Sequence, residues 1–120
     1  GFGSLAGATH SARGIDGLCG DHILVELEVA DGLIRQAMFS GEACAITKAS
    51  ASMIMAWIEG KSRADVLSAS ERFQAGLTQP ELPDDPALGE LNYLRAVAGF
   101  PARVRNALLP WQAVVKALRD

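Results

Sequence analysis

Between Ile23 and Val29 the chain reads Ile-Leu-Val-Glu-Leu-Glu-Val, and from Val25 onward apolar and acidic residues alternate. Successive side chains of a strand point to opposite faces, so Val25, Leu27 and Val29 share one side while Glu26 and Glu28 take the other. This is the pattern of a half-buried strand, and it demands apolar cover on one face. Ala30-Asp31-Gly32 supplies turn chemistry. The stretch from Leu33 to Phe39 is predicted to return as the hairpin partner, with Gly41 ending the pairing.

The cover must come from the helices that follow. Residues from Cys44 to Gly60 suit a helix, with Gly60 as C-cap and with Met53, Met55 and Trp57 read as core residues. Ser62 caps a second predicted helix, with Asp65 three positions on and Val66, Leu67, Ala69, Phe73 and Leu77 forming its apolar face. Thr78 to Pro86 carries three prolines and three acids, so it reads as a surface loop. Leu88, Leu91, Leu94, Ala96 and Val97 fit a short helix closed by Gly99. Pro101 opens a last helix with a predicted stripe of Val104, Leu108, Trp111, Val115 and Leu118, and Pro110 predicts a kink in it. Strands first and helices afterwards argue for the α+β class: a small antiparallel sheet of two to three strands packed against four or more helices.

A chain of 120 residues, 49% of them hydrophobic, has the size and composition of one globular domain. The expected organisation is a loose N-terminal arm over residues 1–18 and a single domain over 19–120. A net charge of −3 with scattered basic residues argues against nucleic acid as a partner. No apolar run approaches the roughly 20 residues of a membrane span, and the first residues do not have a signal-peptide layout. The two cysteines, Cys19 and Cys44, are too few for a disulfide scaffold and lack a Cys-x-x-Cys spacing. A reducing cytoplasm is the expected compartment.

Cys19-Gly20-Asp21 places a thiol and a carboxylate two residues apart, on one side of the chain if the segment is extended. Both are competent ligands for zinc or iron, but they and Cys44 make only three donors where a structural site normally takes four. The alternative is that Cys19 packs as a small hydrophobe and Asp21 caps a turn. Cys44 is expected at the start of a helix, where the unpaired N–H groups favour a thiolate, with Lys48 one turn on adding to that effect. The alternative for Cys44 is an inert buried cysteine. His10 in the arm and His22 at the strand start are not expected to be ligands.

Three segments together resemble the cysteine motifs of the iron–sulfur cluster assembly scaffold family of IscU, SufU and NifU type. They are Cys19-Gly20-Asp21, the run from Gly41 through Cys44 to Met53, and Phe100 to Trp111. The resemblance runs from about Cys19 to the C-terminus and looks closest to the SufU branch. The chain departs from the family pattern at Asp16-Gly17, where the family has Asn-Pro, at Thr47, where it has serine, and at Asn106, where it has its third cysteine.

The resemblance implies a SufE/IscU-like fold and receipt of sulfur from a cysteine desulfurase as a persulfide. The partners it implies are that desulfurase and other iron–sulfur assembly proteins, with the chain at most a sulfur acceptor rather than a stand-alone enzyme. It further implies Cys19, Asp21 and Cys44 as metal or cluster ligands, and Cys19 and Cys44 as sulfur acceptors, with Arg103 and Arg105 favouring a thiolate or docking a partner. The implied cofactor is zinc or a transient iron–sulfur cluster, or neither, because the amide of Asn106 is a far poorer donor than a thiolate. A non-metal modulator of the assembly machinery is the alternative function. A redox pair of Cys19 and Cys44 ranks behind both.

Overall fold

A computed structural model describes residues 1–119. Three strands lead and the helices follow: β1 (His10–Asp16), β2 (Asp21–Ala30), β3 (Leu33–Glu42), α1 (Ala45–Ile58), α2 (Arg63–Thr78), a 3₁₀ segment (Pro86–Val97) and α3 (Pro101–Arg119). The sheet is antiparallel in the order β1-β2-β3. This is the expected α+β architecture.

The alternation of β2 sends Ile23, Val25 and Leu27 into the core. On β3 the inward residues change phase, with Ile34, Ala37 and Phe39 all buried. A bulge explains this: Glu28 pairs with Gln36 while Val29 pairs with Ile34, leaving Arg35 as an extra residue that resets the alternation. Pairing does not stop at Gly41, as the sequence suggested, but continues to Glu42 opposite His22. Gly41 allows this because its φ is +121° and a Cβ there would lie 2.4 Å from the His22 carbonyl oxygen.

The loose arm is corrected as well. Residues His10 to Asp16 form β1 and pair along their whole length with β2. The inward residues of β1 are Ala12 and Gly14, too small to register as hydrophobic alternation. A boundary after residue 18 would therefore cut a hairpin. Residues ahead of β1 are also engaged, since the Phe39 N–H donates to the Gly1 carbonyl (2.9 Å) and the Gly3 N–H to the Phe39 carbonyl (2.8 Å). Together with the bond from the Ile34 N–H to the Lys61 carbonyl at 2.9 Å, they cover the outer edge of β3.

Helix α3 packs against β1 and β2 and also against α1 and α2. Contact on two sides widens and rotates its buried face relative to the predicted stripe. Trp111 and Leu118 are inside as expected, whereas Val104, Leu108 and Val115 are only half-buried and Ala107, Ala113, Val114 and Ala117 go inward instead. Alanines carry little hydrophobic signal in a sequence but let helices approach closely. Trp111 meets the Phe73 ring at 5.8 Å and the Trp57 ring at 6.2 Å between centroids, filling the space between α1, α2 and α3. The helix is uninterrupted across Pro110. Its Ser62-capped neighbour α2 begins as predicted, with the Ser62 hydroxyl accepting from the Asp65 N–H.

Candidate functional site

The register of the sheet brings the start of β2 beside the start of α1. Asp21, 3% exposed, is the first residue of β2, and Cys44 is the N-cap residue of α1. One carboxylate oxygen of Asp21 accepts from the Cys44 backbone N–H at 2.9 Å, and the other accepts from the Thr47 hydroxyl at 2.6 Å. Burial alone raises the Asp21 pKa. The hydrogen bonds from Thr47, the Cys44 N–H and the Cys44 side chain outweigh it and hold the carboxyl below its ordinary value of 3.8. A buried charge is thus fully engaged within one helical turn.

Thr47 also meets the Cys44 sulfur at 3.3 Å. A threonine hydroxyl has one proton, and here it is committed to Asp21. The Thr47 oxygen therefore has lone pairs to present to the Cys44 sulfur beside it. Lys48 is exposed, and its backbone N–H donates to the Cys44 carbonyl at 3.0 Å.

Cys19 has a different setting. The segment Cys19-Gly20-Asp21 is not extended but turns at Gly20, whose φ of +71° is open to glycine and costly for other residues. Cys19 is exposed and Asp21 buried, so the two side chains do not share one side. Asp16 organises this turn. Its Oδ1 accepts from the Leu18 N–H at 3.0 Å and the Cys19 N–H at 3.4 Å, and its Oδ2 accepts from Arg105 Nε at 3.4 Å. The same guanidinium donates from its Nη2 to the Cys19 sulfur at 3.9 Å. Cys19 is thus a hydrogen-bond acceptor from a cation, whereas Cys44 contacts a hydroxyl.

Arg103 does not join this group, because its guanidinium lies 4.7 Å from the centre of the Phe100 ring. His22 is exposed, and His10 Nδ1 contacts Thr9 at 2.8 Å. Asn106 is 7% exposed on α3, and its Oδ1 is buried with no hydrogen-bond partner. The neighbouring Ala107 carbonyl accepts from the Ser50 hydroxyl at 2.6 Å, which ties α3 to α1 beside this position.

Of the ligand set expected from sequence, Asp21 and Cys44 meet through the Cys44 N–H, while Cys19 lies against Arg105. Among the described residues, no group of three His, Cys, Asp or Glu side chains could hold a metal ion. Both Asp21 oxygens are occupied by Cys44 and Thr47, Cys19 faces Arg105, and position 106 offers a neutral amide. As they lie, these residues do not offer the four converging protein donors of a structural zinc site.

Two side chains that organise these settings, Thr47 and Asp16, entered the sequence reading only as departures from the family pattern. Thr47 stands three residues after the N-cap, a spacing known for reciprocal capping contacts, and Asp16-Gly17 precedes Leu18 in the manner of an Asx turn. Both signals were present. A separate apolar cavity of about 320 Å³, lined by Phe73, Leu82, Leu88 and Leu91 among others, contains none of these site residues.

Residues 3–107 match the family described as the NifU-like N terminal domain. The chain is 37% identical over 100 residues to the zinc-dependent sulfurtransferase SufU of Bacillus subtilis, covering 83% of this chain and 68% of that protein. It is 32% identical over 117 residues to the iron–sulfur cluster assembly scaffold protein IscU of Thermotoga maritima, covering 98% and 82%. Among solved structures it resembles a SUF-system iron–sulfur cluster assembly scaffold protein from Fervidobacterium islandicum with a TM-score of 0.91, at 26% identity and 98% and 85% coverage. A NifU-like N-terminal protein from Brucella abortus matches with a TM-score of 0.85, at 27% identity and 98% and 82% coverage.

Proposed function

This chain belongs to the NifU-like N-terminal domain family of iron–sulfur cluster assembly scaffolds, and from that membership we propose that it is a sulfur-relay protein without a resident metal ion. Cys19 receives sulfur from a cysteine desulfurase as a persulfide and passes it on to cluster assembly in the cytoplasm. The cluster is cargo in this reading. The observation that carries it is the contrast between the two thiols: Cys19 is exposed beside a guanidinium, and Cys44 is half-buried and bonded to Thr47. Exposure admits a donor, and a cation can pair with an anionic sulfur.

Cys44 serves here as a second, less accessible thiol, and Asp21 fixes its position rather than ligating a metal. Loss of the family's third cysteine at Asn106 removes one acceptor and one ligand from the set, which limits the protein to steps that two thiols can perform. A modulator that docks on a desulfurase without taking sulfur is the reading favoured by Asn106 alone.

The test is incubation with a cysteine desulfurase and cysteine, followed by mass spectrometry of the intact protein and its peptides. The wild type and Cys44→Ser gain one sulfur atom on Cys19, and Cys19→Ser gains none. A wild type that binds the desulfurase yet gains no sulfur would be the modulator.

A further inference from the structure

Resting on the reading of Cys19 as sulfur acceptor, we infer that Asp16 is a positioning residue that acts through Arg105: the pair holds a guanidinium against the sulfur at Cys19 and so favours sulfur transfer to that thiol.

Asp16 lies at the end of β1, and its side chain is 9% exposed, while that of Arg105 on α3 is 45% exposed. A half-exposed arginine left alone samples many rotamers, and holding it in one costs entropy. Asp16 supplies the restraint from a nearly buried, already ordered carboxylate. Its Oδ1 is engaged by the N–H groups of Leu18 and Cys19, which orients Oδ2 toward Arg105 Nε. The fork of the guanidinium then spans two targets, with Nε on Asp16 and Nη2 on the Cys19 sulfur. A lysine has no such fork. One carboxylate thus sets both the loop that presents Cys19 and the cation that faces it. Asp16 and Arg105 also line a groove of about 220 Å³ with Ile15, Leu18, Leu109 and Gln112, so the clamp is open to an approaching solute.

The step it serves is redox-neutral. The Cys19 thiolate attacks the outer sulfur of a donor persulfide, a new sulfur–sulfur bond forms at Cys19, and the donor's own sulfur–sulfur bond breaks with its electron pair leaving on the donor thiolate. The proton of the transferred sulfur goes to that thiolate. The negative charge stays on the outer sulfur now attached to Cys19, within the field of Arg105.

Asp16→Asn isolates the proposed role, because the amide keeps an oxygen for the Leu18 and Cys19 N–H groups but loses the charge that holds Arg105. Rates of persulfide formation on Cys19 are measured with glutathione persulfide as donor, alongside thermal melting of each variant. Arg105→Gln is expected to slow transfer by roughly tenfold and Asp16→Asn by roughly threefold, as for loss and misplacement of one exposed charge-assisted hydrogen bond. Arg105→Lys recovers only part of the rate.

The double variant distinguishes positioning from a purely structural role. If Asp16 acts through Arg105, Asp16→Asn adds nothing in the Arg105→Gln background, whereas a structural contribution adds in full. Single variants that transfer at the wild-type rate, or a double variant that is slower than Arg105→Gln by the full Asp16→Asn factor, would overturn the inference. A wild type that forms no persulfide on Cys19 overturns instead the reading it rests on.

Discussion

Asp21 shows how the setting of a single side chain can go beyond what the spacing around it reveals. The Cys-Gly-Asp spacing marks it, but the sequence does not reveal that both oxygens are taken by Cys44 and Thr47, because that depends on the β2–β3 register. Asp21→Ala leaves two donors without their acceptor and is expected to cost about 2 to 4 kcal/mol of stability, read from urea midpoints. The sign of its pH dependence follows from the lowered pKa. Its stabilising contribution is complete above the ordinary value of 3.8 and is lost as pH falls through the lower folded value. The stability gap between wild type and Asp21→Asn therefore narrows as pH falls from 3.8 through that lower value. Asn106 presents the opposite situation, a buried Oδ1 with nothing to accept from. Asn106→Cys removes that orphan and is expected to raise stability by about 1 kcal/mol in the same assay. Cysteines 19 and 44 stood out in the sequence as candidates, whereas their unlike settings did not, since Arg105 reaches Cys19 across 86 residues of sequence.

At the scale of elements, the β2–β3 hairpin and helices α1 and α2 were legible because each carries its own period and caps. Strand β1 was not, since its inward residues are Ala12 and Gly14 and its strand character comes from pairing with β2. The buried face of α3 was misread for a related reason: contact with strands and helices on two sides buries alanines that a single-stripe pattern leaves out. Removing residues 1–16 is expected to abolish cooperative unfolding and expose dye-binding apolar surface, because it strips β1 from β2 and from α3. Cooperative melting of the shortened chain at the wild-type temperature would show that β1 is dispensable. Gly41→Ala is expected to destabilise by at least about 2 kcal/mol in chemical denaturation, as it combines a positive φ with a Cβ 2.4 Å from the His22 carbonyl oxygen. That strand end leads into Cys44, so the same variant loosens the site.

For the molecule as a whole, sheet and helices meet so that the β1–β2 turn, the N-terminus of α1 and the start of α3 supply the site residues from three separate segments. Residues 16–21, 44–50 and 103–107 are far apart in sequence, and their motifs were recognisable before their contacts were. What the motifs left open was whether their donors converge on a metal. The fold places Asp21 against Cys44 and Thr47, and Cys19 against Arg105, and the proposal of a relay without a resident metal ion rests on those two settings. The most direct measurement is sulfur transfer from a cysteine desulfurase to this protein with and without excess metal chelator, read as one sulfur atom gained on Cys19. A metal-free relay gives the same rate and yield in both. Transfer that stops in chelator and returns on adding zinc would contradict the account.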